Sequence, residues 1–351
     1  MDIESYLQAT PKAELHVHLE GAIQPETILA LAKRNKVALP VKNVQEFRQK
    51  LVYRDFDSFV DVFLMGIRCL KTSEDYEQIV YEFGAEMARQ NVHYAEVNVT
   101  PSTHHLAGVP YDVYFSGMQR GRARTLTNFG VQINWIFSIV RKWNDTTRTL
   151  PMADYATSVA IEGKNDGVVA LGLGGSEEGA SPELFAPWFE KARTEGLHSA
   201  PHAGEMAGPA SIWGAISTLG AERIAHGVRA IEDLALIDYL VQHHIPLDIT
   251  PTSNIFLGVY PSYHTHPLSQ LYKAGAIITV STDDPPLFNT TLTQEVSLLA
   301  TKFDLDIAAI DEILLNGIRY SFLPEQQRQQ LETDFQAELD ILKARYLTDK
   351  T

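Results

Sequence analysis

The chain has 351 residues, 45% of them hydrophobic, and its 44 acidic side chains outnumber the 29 basic ones to give a formal net charge of −15. This balance argues against a general nucleic-acid binder, because such proteins contact phosphates through clustered Lys and Arg. The single cysteine, Cys69, excludes an internal disulfide framework and any Cys-x-x-Cys metal or redox motif. No cationic amphipathic segment indicates a membrane surface, and no apolar run approaches the ~18 residues of a transmembrane helix.

Residues 1–16 are acidic and lack the apolar segment of a signal peptide, so we expect a cytoplasmic protein. No Gly/Ser-rich or Pro-rich linker and no low-complexity tract divides the chain. We therefore expect a single domain over residues 1–351. The sequence gives no indication of the oligomeric state.

Eight apolar or β-branched runs recur along the chain, separated by helical patterns. The runs cover residues 15–19, 92–99, 131–140, 168–173, 197–202, 223–227, 245–250 and 276–281. Eight strands that alternate with helices predict an α/β fold, namely a parallel (β/α)8 TIM barrel. The alternative is an open doubly wound sheet, but no Gly-rich dinucleotide-binding pattern follows the first run. Polar side chains instead collect at the C-terminal ends of several runs, where such barrels hold their active sites.

Residues 41–70 are expected to form a helical insertion after the first strand and its connecting helix. Six of its apolar side chains fall on one helical stripe: Phe56, Phe59, Val60, Phe63, Leu64 and Ile67. Such a stripe usually faces the core. Because this one lies on the active-site side, it could instead be a hydrophobic lid, with Phe59 and Phe63 against the substrate. The residues from Ala300 onward predict extra C-terminal helices.

Histidines and carboxylates mark the predicted strand ends. His16 and His18 stand two apart in ELHVHLEG, so a strand would project both from one face. His202 ends the fifth run, His226 lies in the sixth, and Asp283 follows the eighth. Together at one barrel mouth, these side chains predict a ligand set for a borderline metal such as zinc. Seven other histidines are assigned to loops and surfaces: His93, His104, His105, His243, His244, His264 and His266.

A metal of this class lowers the pKa of a bound water from about 15.7 toward about 7 and supplies hydroxide at neutral pH. Glu205, three residues after His202, is predicted to donate a proton to the substrate. Asp283 could ligate the metal and accept a proton, while Asp284, followed by two prolines, directs a carboxylate at the substrate. The glycines of LGLGGSEEG allow backbone N–H groups to approach a ligand. No lysine in this region could bridge a second metal, so one metal per chain is expected.

The stretches PKAELHVHLEG, PHAGE, RIAHG, TPTSN and STDDP resemble the motifs of the adenosine deaminase family, within the amidohydrolase superfamily. They occur in the family's order and span residues 11–286, most of the chain. The resemblance implies a (β/α)8 barrel with one zinc ion and hydrolytic removal of the 6-amino group of an adenine ring.

The resemblance also implies a role for individual residues. Zinc would be ligated by His16, His18, His202 and Asp283. Glu205 would protonate the purine N1, and His226 would position the attacking hydroxide. Asp284 would bind N7, the Gly175 N–H would reach N3, and His18 would also border the substrate.

Two departures from the family's pattern concern the substrate. Many members have Asp where this chain has Glu20, a position near the ribose. The stretch GLGGSEEG is closer to relatives that act on modified adenine nucleosides, including 6-aminodeoxyfutalosine. We expect adenosine or 2′-deoxyadenosine as the substrate. The alternatives are a modified nucleoside such as 6-aminodeoxyfutalosine or N6-methyladenosine, free adenine or, more distantly, the substrate of another metal-dependent amidohydrolase.

Overall fold

The computed structural model describes residues 2–53, 56–141 and 148–348. Each of the eight predicted runs forms a strand: β1 (Lys12–His18), β2 (Val92–Val99), β3 (Gln132–Val140), β4 (Val168–Gly174), β5 (His198–Ala203), β6 (Ile224–His226), β7 (Leu247–Ile249) and β8 (Ile278–Val280). The strands follow one another in sequence order, and each pairs in parallel with the next. This order is that of a (β/α)8 barrel and confirms the predicted fold class.

The ring closes where the first and last motifs meet. Val17 forms a parallel bridge with Asp283. The His18 N–H donates to the Asp283 carbonyl at 2.8 Å, and the Asp283 N–H donates to the His16 carbonyl at 3.1 Å. Closure therefore places the histidine pair of β1 directly beside the acidic pair that follows β8.

Helices surround the barrel and carry most of the remaining described chain. They are α1 (Ile3–Ala9), α2 (Pro25–Arg34), α3 (Val44–Gln49), α4 (Phe56–Arg68), α5 (Ser73–Arg89), α6 (Pro101–Leu106), α7 (Tyr111–Phe129), α8 (Thr149–Glu162), α9 (Ala186–Thr194), α10 (Pro209–Leu219), α11 (Leu234–Gln242), α12 (Pro251–Phe256), α13 (Leu268–Lys273), α14 (Leu292–Thr301), α15 (Ile307–Arg319) and α16 (Glu325–Tyr346). Among the described residues, no helix is long and apolar enough to cross a membrane. Helices α15 and α16 lie in the region from Ala300 onward, where extra C-terminal helices were predicted.

A buried polar network crosses the barrel interior below the mouth. The guanidinium of Arg223, on the chain entering β6, donates to the carboxylates of Glu96 in β2 and Asp248 in β7. Because all three side chains are almost fully buried, the charges compensate one another in place of water. This network ties the first half of the barrel to the second.

The predicted insertion is helical, with α3 and α4 as its elements; residues 54 and 55 lie outside the described residues. Helix α4 has two apolar faces. Val62, Met65 and Ile67 are buried in the core. The other five stripe residues line a cavity at the barrel mouth: Phe56, Phe59, Val60, Phe63 and Leu64. The stripe is therefore divided between the cavity and the core, with Ile67 on the core side, and the lid interpretation stays a prediction.

Candidate active site

The backbone leaves the sheet abruptly at the mouth of the barrel. His226 ends β6 with a φ of 65°, and Asp283 follows β8 with a φ of 67°. Non-glycine residues rarely adopt this left-handed conformation, which costs on the order of 1–3 kcal/mol and persists where the surroundings enforce it. Both side chains lie beside His16, whose ring centroid is 4.6 Å from that of His226.

Three imidazoles and one carboxylate converge inside the mouth. The Nε2 atom of His202 lies 3.0 Å from that of His16 and 3.2 Å from that of His18. The Oδ1 atom of Asp283 lies 3.5 Å from His16 Nε2 and 3.2 Å from His18 Nε2. The structure thus brings together all four residues that the sequence assigned to the metal.

Hydrogen bonds behind this cluster leave its ligand atoms available to a cation. His16 Nδ1 lies 3.2 Å from the Asp248 carbonyl, which can only accept, so Nδ1 carries a proton and a neutral His16 has its lone pair on Nε2. The Ser253 hydroxyl donates to Asp283 Oδ2 at 2.7 Å and fixes that carboxylate. Burial and the neighbouring imidazoles hold the pKa of His202 well below its usual value. Neutral imidazoles with one carboxylate are ligands of zinc and similar metals, so the residues fit a metal ion.

His226 lies next to the cluster, so either His226 or His18 could be its third imidazole ligand. Its Nε2 is 3.6 Å from Glu205 Oε2 and 3.9 Å from Asp283 Oδ2. One group of potential ligand atoms within 4.8 Å of one another comprises His16, His202, His226 and Asp283. Distances alone therefore allow either His18 or His226 as the third imidazole. Burial is the main cause that lowers the pKa of His226 to about 3, which keeps the ring neutral.

Glu205 lies in the loop after β5, with its side chain buried at the cavity wall. Burial, together with the nearby carboxylates of Asp283 and Glu177, raises the pKa of Glu205 well above its usual value. A carboxylic acid that stays protonated at neutral pH can donate a proton to a substrate. The position suits the proton donor that the sequence predicts.

The buried carboxylate of Glu177 holds the Glu205 loop in place. Its two oxygens accept hydrogen bonds, at 2.6 to 3.0 Å, from the backbone N–H groups of Gly204, Glu205, Met206 and Ala207 and from the Ser211 hydroxyl. Sequence reasoning used this stretch only for its glycines and missed Glu177. No local signal separates it from its exposed neighbour Glu178, because its partners lie more than twenty residues away.

Asp284 is buried at the cavity wall beside Gly21. A Cβ atom on Gly21 would lie 1.6 Å from Asp284 Oδ1, so only glycine leaves room for this carboxylate. Burial and the adjacent Asp283 raise the pKa of Asp284 well above its usual value. Gly21, the last residue of ELHVHLEG, therefore determines where the Asp284 carboxylate, which is predicted to bind the substrate, lies.

A cavity of 460 Å³ opens over these groups. Its polar side contains His18, Gly174, Gly175, His202, Glu205, His226, Asp283 and Asp284, and its apolar side contains the five α4 residues with Leu106 and Leu257. Gly175 has a φ of 86°, a conformation that favours glycine. The ring of Phe63 lies 6.2 Å from that of His18, and Phe59 stacks on Phe288 at 5.2 Å. A mostly apolar cavity with a few convergent polar groups is typical of a small-molecule site.

Glu20, predicted at the substrate, is not among the cavity-lining residues. Its Oε1 accepts hydrogen bonds from the Thr100 N–H at 2.7 Å, the Thr100 hydroxyl at 2.6 Å and His104 Nε2 at 3.1 Å. Although burial opposes ionisation, the bonds from His104 and Thr100 hold the pKa of Glu20 below its usual value. Glu20 thus supports Thr100, which does line the cavity.

Two of the seven histidines assigned to loops and surfaces are buried, so that assignment was wrong for His104 and His266. His104 binds Glu20, and His266 binds the Asn254 side chain behind His226. Neither residue lies near its partner's motif in the sequence, and no spacing pattern reveals these contacts. The assignment is confirmed for the exposed His105, His243, His244 and His264.

The chain is similar to known proteins of one family. The family model for adenosine deaminases matches residues 11–337. The chain is 37% identical over 336 residues to an adenine deaminase of Cupriavidus necator, an alignment covering 95% of this chain and 92% of the relative. It is 33% identical over 348 residues to an aminodeoxyfutalosine deaminase of Streptomyces avermitilis, covering 99% and 95%.

Among solved structures, an amidohydrolase from Burkholderia ambifaria with bound Zn superposes with a TM-score of 0.89 at 25% identity. The match covers 99% of this chain and 95% of that one. The chain therefore matches one family in sequence, over the region that contains its motifs, and in its barrel fold. The chain belongs to the adenosine deaminase family, deaminating hydrolases of the amidohydrolase superfamily.

Proposed function

We propose that this chain is a zinc enzyme that hydrolytically removes the 6-amino group of an adenine ring, releasing ammonia. The observation that carries this proposal is the arrangement at the barrel mouth. A metal-fitting His/Asp cluster, the buried acid Glu205 and the neutral His226 share one cavity. The names of the adenine and aminodeoxyfutalosine deaminase relatives support adenine-type deamination.

We infer that the substrate is a modified adenine nucleoside such as 6-aminodeoxyfutalosine, in place of the adenosine or 2′-deoxyadenosine expected from the sequence. The carboxylate expected near a ribose, that of Glu20, is not among the cavity-lining groups and is bound by Thr100 and His104. Five apolar side chains of α4 line the cavity, which also contains Thr100, Thr103 and Arg148. The apolar part of this lining favours an apolar group on the nucleoside over an additional sugar hydroxyl.

Free adenine is a second candidate substrate. The relative from Cupriavidus necator, at 37% identity, is an adenine deaminase. The polar groups for the ring lie deep in the cavity and do not depend on an N9 substituent. The size of the cavity, 460 Å³, favours a larger compound than the ring alone.

The chain's own residues have separate tasks in this proposal. Glu205 donates a proton to the ring nitrogen N1, which makes C6 more electrophilic. His226 orients the attacking oxygen and stabilises charge as C6 becomes tetrahedral. Asp283 accepts the proton that the attacking water loses, and this proton is then available to the departing ammonia. Asp284 binds N7, and the N–H of Gly175 binds N3. Zinc, when held by His16, His18, His202 and Asp283, lowers the pKa of water and so makes a nucleophile available at neutral pH.

A substrate screen tests the proposal. Zinc-loaded protein is assayed for ammonia release from adenine, adenosine, 2′-deoxyadenosine, AMP and 6-aminodeoxyfutalosine, and for methylamine release from N6-methyladenosine, with Glu205→Gln as the matched control. The highest kcat/KM is expected for 6-aminodeoxyfutalosine. A higher value for adenine would select the second candidate. Release of neither ammonia nor methylamine from any compound, together with two zinc equivalents per chain, would favour another metal-dependent amidohydrolase.

A further inference from the structure

A buried hydrogen-bonded chain connects the backbone of α13 to the ring of His226. The Leu268 N–H points at His266 Nδ1 at 3.2 Å, and His266 Nε2 lies 3.0 Å from Asn254 Oδ1. Asn254 Nδ2 lies 3.4 Å from His226 Nδ1, which is also 3.0 Å from the Thr250 hydroxyl. The four side chains of this hydrogen-bonded series are almost fully buried: Thr250, Asn254, His226 and His266.

The polarity of this chain is fixed at its first bond, because a backbone N–H can only donate. His266 Nδ1 must therefore accept, so the His266 proton is on Nε2 and is donated to Asn254 Oδ1. The remaining Asn254 amide group then donates to His226 Nδ1. A ring nitrogen that accepts carries no proton, so neutral His226 must carry its proton on Nε2.

The opposite polarity fails at Leu268. A proton on His226 Nδ1 could be accepted by the Thr250 hydroxyl at 3.0 Å, but it would also face the Asn254 amide group, whose Nδ2 lies 3.4 Å away. To avoid two opposed N–H groups there, Asn254 would have to turn its oxygen toward His226 and its amide N–H toward His266. His266 Nε2 would then have to accept, which moves its proton to Nδ1. Two N–H groups would face each other at 3.2 Å in a buried site, a costly arrangement.

Packing prevents the His266 ring from rotating to exchange the positions of its hydrogen-bonding atoms. Its centroid lies 5.1 Å from that of Tyr260 and 5.5 Å from that of Phe303. The ring is therefore held between aromatic neighbours as well as by its two hydrogen bonds. Asn254 is equally restricted, because it is completely buried.

We propose that Asn254 and His266 are positioning residues that fix His226 in the tautomer with its proton on Nε2. This proposal rests on the proposed deaminase function for its catalytic consequence. The Nε2–H is a donor that can hold the attacking oxygen and stabilise its charge. It has no lone pair for a metal, which assigns the third imidazole to His18. Neutral His226 also cannot accept the proton of the attacking water, so it acts by orientation and charge stabilisation.

The first test measures the tautomer directly and needs no substrate. Zinc-loaded protein with ¹⁵N-labelled histidine is examined by NMR, and the ring nitrogens of His226 are assigned by their loss in His226→Gln. The expected spectrum has the proton on Nε2. In Asn254→Asp the carboxylate accepts from both rings, so the His226 proton should move to Nδ1. A wild-type proton on Nδ1, or an unchanged tautomer in Asn254→Asp, would overturn the proposal.

The second test compares two replacements of His266 by kinetics. In His266→Gln the amide can accept from the Leu268 N–H and donate to Asn254, so kcat should stay within a few-fold. His266→Leu removes both bonds and should lower kcat on the order of 100-fold, with KM and zinc content nearly unchanged. Equal kcat values for the two variants would contradict the positioning role. If the tautomer is as expected but no adenine compound is deaminated, the proposed function fails while the tautomer assignment stands.

Discussion

The two halves of the barrel position their functional residues in different ways. Strands β1 to β4 contain seven to nine residues each, whereas β6, β7 and β8 contain three each. The first half supplies His16 and His18 directly from a long strand, and it carries the apolar α4. The second half supplies His226 and Asp283 from left-handed positions at the ends of short strands.

Buried side chains supplement the shorter strand ladders of the second half. Glu177 binds the loop that carries Glu205, and Glu14 accepts from the Thr282 N–H at 2.9 Å. The Thr279 hydroxyl donates to Asp248 at 2.6 Å. Hydrogen-bonded networks of this kind restrict the position and orientation of side chains more than apolar packing does. Loss of one partner, however, leaves a buried polar group unpaired. Substitutions among these buried polar groups and the metal cluster should therefore affect turnover most, and those in α4 should affect binding most.

The largest effect is expected for Glu205→Gln. The amide keeps the shape of the acid but cannot donate the proton, so kcat should fall by about 10²–10⁴-fold. Zinc content, measured by elemental analysis, should remain that of the wild type. Glu178→Gln, an exposed neighbour on the β4 loop, is the control and should be fully active. Retained turnover in Glu205→Gln would remove it as the acid.

The metal cluster is tested by His16→Ala and Asp283→Ala, which each remove one proposed ligand. Both variants should bind less zinc and lose turnover in proportion, because a four-ligand site is left incomplete. His105→Ala changes an exposed histidine and provides the control for zinc content. Full zinc occupancy in both cluster variants would refute the ligand assignment.

A smaller effect is expected for Glu177→Gln. The new amide N–H₂ group would oppose backbone N–H donors that now share one carboxylate. Leaving these buried groups unpaired should cost on the order of 1–3 kcal/mol of stability. We expect kcat to fall more than KM changes, because the Glu205 loop shifts. Steady-state kinetics and thermal unfolding measure the two effects, and unchanged kcat would show that the loop holds its position without Glu177.

The smallest effect on kcat is expected in the first half, at α4. Phe63→Ala removes a partly buried wall residue and should raise KM and alter substrate choice. Phe59→Ala also removes the stack on Phe288 and should lower stability by about 3 kcal/mol. Substrate profiles and unfolding curves distinguish the two. A loss of stability alone in Phe63→Ala would assign that side chain to the core.

The barrel could be predicted because each of its strands is indicated by a short, continuous stretch of sequence. Each apolar run marks a strand, and the polar residues that follow the runs must meet at one edge of a parallel barrel. Residues 223–227 and 245–250 were predicted as longer strands than the three-residue β6 and β7. At β6 the difference arises because His226 and Gly227 adopt left-handed conformations that end the ladder.

The supporting residues were not predictable, because their contacts join distant parts of the chain. Glu177 and Glu178 are the same residue type at adjacent positions, and only the fold of the loop buries the first side chain and exposes the second. His104 and His266 resemble surface histidines in sequence, yet tertiary packing buries both. Glu20 shares a motif with the site but points to Thr100, so its motif position did not reveal its partner.

The central claim, that one metal in this cluster supports deamination of an adenine ring, is tested most directly by metal titration. Protein freed of metal by chelation is reconstituted with increasing zinc, and ammonia release from 6-aminodeoxyfutalosine and from adenine is measured at each step. We predict that the rate with at least one of these substrates rises linearly and stops rising at one zinc equivalent per chain. A rate that is unchanged without metal, or that rises until two equivalents, would contradict the account.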